Sequence, residues 1–124
     1  MREAHKYEAT EDYVELIDDL INAYGEARLV DLANRMGVAQ PTVSKTLARL
    51  QRDGYITSEP YRSIFLTDKG KQLAETSRVR HDVVFQFLLA IGVSSEVAKR
   101  DAEGMEHHVS EETLKIFKKL TVQK

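Results

Sequence analysis

The stretch Asp101-Ala102-Glu103-Gly104-Met105-Glu106-His107-His108 concentrates the groups most able to do chemistry in this 124-residue chain. Read as helix, it puts Glu103, Glu106 and His107 at i, i+3 and i+4, one stripe of one face. Two carboxylates and an imidazole then converge on a point just off the axis. Adjacent carboxylates repel unless one takes up a proton, and a divalent cation removes that conflict. The plainer reading of the same residues is a solvated acidic face. Two other places favour a metal. Asp12 and Glu15 repeat the i, i+3 spacing near the N-terminus, and His81 lies midway along a third helical stretch. Each also has a plainer reading. Acids near a helix start favour its dipole, and a lone histidine serves as a polar edge residue.

The elements that must position these groups share a modest chain, 42% hydrophobic and 31% charged, which suits one domain or two small ones with a shared core. The absence of cysteine excludes disulfides, a thiolate zinc site and a cysteine nucleophile. No apolar run approaches the roughly 20 residues that span a bilayer. The opening Met1-Arg2-Glu3-Ala4-His5-Lys6 lacks the apolar segment of a signal peptide, so a cytoplasmic location is expected. Net charge is −2, yet residues 28–71 hold eight Lys or Arg against four acids. A basic block in an acidic protein suggests a DNA-facing part and a part with another task.

Residues 1–10 are polar and weakly patterned, and read as an arm or a ragged end. From Glu11 a helical stripe runs through Tyr13, Leu16, Ile17, Leu20, Ile21 and Tyr24 to a stop at Gly25. Residues 29–50 then have the layout of a helix-turn-helix. A short helix ends at Gly37, Val38 fills the corner, Gln40 stands in the N-cap region and Pro41 at the first helical position. Val43, Leu47 and Leu50 form the buried face, which leaves Thr42, Ser44, Lys45 and Arg49 outside. Short polar groups with basic residues behind them suit a major groove. An ordinary surface helix is the alternative. Residues 55–59 and 63–66 read as a hairpin, a wing whose tip carries Arg62 for a phosphate or the minor groove, or else a solvated loop cation. Thr67 caps a long helix that ends at Gly92, and its half from Val83 to Ile91 is apolar almost all round, which predicts a dimer interface. Ser94 and Ser110 cap two further helices, the second with Leu114, Phe117 and Leu120 as its apolar side.

Together these motifs resemble the diphtheria-toxin-repressor family of metal-dependent transcriptional repressors, and look most like its manganese transport regulator branch. The resemblance runs from about Glu11 to about Leu114. It rests chiefly on residues 101–110, with Glu11-Asp12-Tyr13-Val14-Glu15, Arg80-His81, Phe87-Leu88, Ile91-Gly92-Val93 and Leu66-Thr67-Asp68-Lys69-Gly70 also matching. It implies a mainly α fold with a small β wing: a winged helix-turn-helix over 1–72 and an all-helical metal-binding and dimerisation domain over 73–124. The sequence stops short of the third, SH3-like domain that some relatives carry. Ser63 stands where a wing glycine is common.

The resemblance further implies that Asp12, Glu15, His81, Glu103, Glu106 and His107 hold two Mn2+ ions per subunit. A homodimer would then bind an inverted repeat in operator DNA of metal-transport genes, with Gln40, Thr42 and Ser44 reading bases and Lys45, Arg49 and Arg62 holding phosphates. Four carboxylates and two imidazoles are a hard set suited to Mn2+ or Fe2+. The iron-responsive branch carries sulfur at the positions of Asp12 and Glu106, so oxygen at both points to manganese. His108 points about 100° from His107 and falls outside the set. A two-metal enzyme competes, but the acids and histidines are spent as ligands, and a basic helix-turn-helix has no place in it. A metal-independent winged-helix regulator leaves the six-residue set unexplained.

Overall fold

The computed structural model describes residues 2–58 and 63–122, with side chains described from Tyr7 to Thr121 outside the wing tip. Among the described residues, six helices and one two-stranded sheet follow in the order α1 (Arg2–Tyr24), α2 (Leu29–Met36), α3 (Gln40–Arg52), β1 (Ile56–Thr57), β2 (Phe65–Leu66), α4 (Asp68–Ala90), α5 (Ser95–Met105) and α6 (Glu111–Val122). The chain divides into two compact units, Met1–Glu75 and Thr76–Lys124.

In the first unit, the stripe of α1 enters the core through Tyr13, Val14, Ile17 and Leu20. Against it lie Leu32 of α2, Val43, Leu47 and Leu50 of α3, Ile56 and Leu66 of the hairpin, and Ala74 of α4. The turn between α2 and α3 depends on Gly37, which takes φ 68° and sends its amide to the Ala33 carbonyl. A side chain there would press on the neighbouring backbone. Ala39, in extended conformation, is the N-cap of α3, so Gln40 is its first helical residue and Pro41 the second, one position later than the spacing suggests. Val38 is 39% exposed and does not fill the corner between the helices.

The hairpin is antiparallel, pairing Ile56 with Leu66 and Thr57 with Phe65. Its base is fastened to the α1–α2 loop: the Ile64 amide donates to the Ala27 carbonyl at 2.8 Å and the Ser63 hydroxyl to Glu26 at 3.2 Å. The tip, with Arg62, lies outside the described residues. Thr67 caps α4 as its sequence predicts, accepting the Gly70 amide at 3.1 Å and donating to the Gly54 carbonyl at 2.6 Å.

The second unit packs α4, α5 and α6 around Val84, Leu88, Ala98, Ala102 and Leu114, with Phe87 and Phe117 stacked at 3.9 Å. Ser94 caps α5 by accepting the Val97 amide, and Ser110 caps α6 by accepting the Thr113 amide. Val79, Ile91, Ile116 and Leu120 stay exposed on this small unit.

Two expectations about helix limits need correction. Helix α1 runs from Arg2, so residues 2–10 are helical and not an arm. Their polar composition hides the helix from periodicity, which needs apolar residues to register. Helix α5 ends at Met105, so Glu106 and His107 stand on the turn that follows it. Glu106 keeps a right-handed backbone (φ −55°, ψ −33°), which is why the helical spacing appears to run on.

Candidate metal centre and nucleic-acid interface

Asp12 and Glu15 occupy the middle of α1, both half-buried. With ten residues of helix ahead of it, Asp12 lies beyond the first turn, where the dipole favours acids. Helix-start electrostatics therefore do not account for the pair. Glu11, one turn before Glu15 on the same side of α1, is buried.

The other four metal candidates belong to the second unit. Glu106 is 2% exposed. Its Oε1 lies 3.6 Å from His107 Nε2, and both side chains are almost wholly enclosed. Carbon-rich surroundings penalise a carboxylate strongly unless positive charge compensates it. A carboxylate and an imidazole enclosed together have the donor chemistry that a divalent cation takes. His81 is half-buried on α4, its ring 6.3 Å from that of Phe85, one turn further on. Glu103 is exposed on α5, and His108 is exposed on the turn that follows it. Burial therefore singles out Glu106 and His107 within this unit and leaves Glu103 at its surface.

One residue that the spacing argument left without a role is conspicuous here. Arg80, directly before His81, donates to the main-chain carbonyls of Glu106 and Val109 and pairs with Glu111. The only signal in the sequence is an arginine set at the edge of an apolar helix half.

On the first unit, Gln40, Thr42, Ser44 and Lys45 are all exposed along α3, with Val43, Leu47 and Leu50 turned to the core. Arg49 differs from the others. It is half-buried and donates to the Thr10 hydroxyl at 3.0 Å, which ties α3 to α1. Lys69 donates to the Asp53 carbonyl at 2.7 Å and sits 4.3 Å above the Tyr55 ring, so it braces the end of α3. At the wing base, hydrogen bonds from Arg28 and Ser63 hold the Glu26 carboxyl below its ordinary value.

Residues 6–64 match the family model for the iron dependent repressor N-terminal DNA binding domain, and residues 67–121 that for its metal binding and dimerisation domain. The transcriptional regulator MntR of Escherichia coli O6:H1 is 60% identical over 121 residues, covering 98% of this chain and 78% of its own. MntR of Salmonella typhimurium is 58% identical over 123 residues, covering 99% and 78%. A solved manganese-dependent transcriptional repressor in complex with manganese superimposes with a TM-score of 0.82 at 24% identity, covering 93% of this chain. The chain spans about half the length of such solved structures, 53% in that case and 54% for the manganese regulator SloR. Among the described residues, no helix is long and apolar enough to cross a membrane. Two family models that together take in nearly the whole chain, and relatives this similar, place it in the iron-dependent repressor family, a family of winged-helix transcriptional regulators and not of enzymes.

Proposed function

We propose that this chain is a manganese-responsive transcriptional repressor, acting in the cytoplasm as a homodimer on an inverted repeat in operator DNA. The observation that carries the reading is the enclosed Glu106 carboxylate beside the His107 imidazole, in a chain without cysteine. Oxygen and nitrogen donors without sulfur suit a hard or borderline divalent ion. Asp12, Glu15, His81, Glu103, Glu106 and His107 are the proposed ligands, for two Mn2+ per subunit. A bound cation supplies the positive charge that lets these carboxylates remain ionised as neighbours. Residues 1–72 form the DNA-binding domain and 73–124 the metal-binding and dimerising one. The name of the 60% identical relative supports the regulatory role.

Each subunit presents α3 to a major groove, where Gln40, Thr42 and Ser44 contact base edges and Lys45, Arg49 and Arg62 the phosphates. Fluorescence anisotropy tests the reading on duplexes selected from a random pool in the presence of Mn2+. Tight binding with Mn2+ and its loss on chelation are expected, while binding indifferent to chelator would contradict the proposal. An iron-responsive repressor is the second reading, favoured by the description of both matching family models. Stronger anaerobic activation by Fe2+ than by Mn2+ would establish it.

A further inference from the structure

Arg80 stands one residue before His81 on α4, its side chain 17% exposed. Its Nε and Nη2 donate to the Glu106 carbonyl at 3.1 and 2.7 Å, and Nη2 also to the Val109 carbonyl at 2.6 Å. Its Nη1 pairs with Glu111 Oε1 at 2.9 Å, at the start of α6. The last carbonyls of a helix have no donor within it and carry the negative end of its dipole. Glu106 caps α5, so a guanidinium there both satisfies stranded acceptors and offsets that charge. Its planar fork also fixes the backbone from which Glu106 and His107 project.

We propose that Arg80 is the positioning residue of the metal-ligating turn, holding residues 106–109 so that the Glu106 carboxylate and His107 imidazole are preset for Mn2+. The inference rests on the metal reading above. Without the clamp, the turn must be ordered at the moment of binding, and affinity falls by the fraction of time it is ordered beforehand. Lysine does not replace it. An ammonium is a point donor and lacks the rigid fork that serves the two main-chain carbonyls at once.

Direct Mn2+ binding to the purified full chain, read from the electron paramagnetic resonance of free Mn2+, tests the proposal. Arg80→Lys keeps the charge and loses the fork. It is expected to weaken Mn2+ binding about 10-fold or more, with helical content by circular dichroism unchanged. Amide exchange at 106–109 should quicken in the metal-free protein, and affinity for a selected duplex should return to the parent's at saturating Mn2+. Arg80→Gln should move the same readouts the same way. Glu111→Gln removes only an exposed partner and should stay within about twofold. Parental Mn2+ affinity in folded Arg80→Lys overturns the proposal. Failure of both Arg80 variants to fold also overturns it, since Arg80 would then serve the fold and not the site. A parent chain that binds no Mn2+ overturns the metal reading itself, and the clamp with it.

Discussion

Lys45 and Arg49 stand one turn apart on α3 and are engaged differently. Lys45 is exposed, whereas Arg49 is half-buried and bonded to Thr10. Lys45→Ala should weaken binding to every DNA sequence and lower the slope of log affinity against log salt by about one unit. Arg49→Ala should also lower the thermal stability of the metal-free protein, because it releases α3 from α1. A salt slope unchanged in Lys45→Ala would show that the docking face is misplaced. At the metal candidates, Asp12→Met or Glu106→Cys should broaden the response toward Fe2+, since each trades a charged oxygen for a softer ligand. Anaerobic titrations of duplex binding with Mn2+ and Fe2+ check this, and retention of the parent's discrimination would count against it. Spacing and residue type made the six ligand candidates legible, because carboxylate and imidazole patterns survive in sequence. The clamp by Arg80 was not legible. Its acceptors are main-chain carbonyls 26 and 29 residues away, and a carbonyl leaves no residue signature.

The elements follow from punctuation more than from propensity. Gly37, Thr67, Ser94 and Ser110 mark their helix ends where the sequence puts them. The start of α1 and the end of α5 are not readable, the first for want of apolar residues and the second because the turn after Met105 keeps a helical backbone at Glu106. Gly70 shows a constraint of another kind. It lies inside a helix, yet a Cβ there would run into the Tyr55 carbonyl oxygen and come 3.2 Å from Leu66 Cδ2. Backbone cannot yield as a side chain does, so Gly70→Ala should destabilise the first unit by about 1–3 kcal/mol in thermal unfolding, despite the better helix propensity of alanine. The wing base adds a pH dependence. Glu26 is held below its ordinary value, first by Arg28 and then by Ser63. A lowered carboxyl contributes stability above its unfolded value and loses it as pH falls through the folded one. The anchor is therefore intact at neutral pH and released in acid. Ser63→Ala should raise the Glu26 value by NMR titration, and an unmoved titration would show the hydroxyl contributes nothing.

At the scale of the whole molecule, the acidic residues 1–27 precede the basic residues 28–71, and both stretches fall largely within the part that matches the DNA-binding family model. Val79, Ile91, Ile116 and Leu120 of the second unit are exposed, apolar side chains of the kind that a subunit interface covers. The metal-free protein should therefore remain dimeric at micromolar concentration, and sedimentation as a monomer would make metal the dimerisation switch instead. The central claim is that metal binding and operator binding are coupled through ligands contributed by both family domains. On the proposed ligand set, repulsion among unliganded carboxylates would leave the DNA-binding units sampling arrangements of which few fit two grooves, and ligation would remove that repulsion. Coupling of this kind is reciprocal, so operator DNA must tighten Mn2+ binding by the same factor by which Mn2+ tightens DNA binding. The most direct test is a Mn2+ titration of the purified protein with and without a saturating selected duplex. A lower dissociation constant for Mn2+ in the presence of the duplex, matching the gain in DNA affinity, is the predicted result, and equal Mn2+ affinity in the two titrations would contradict the account.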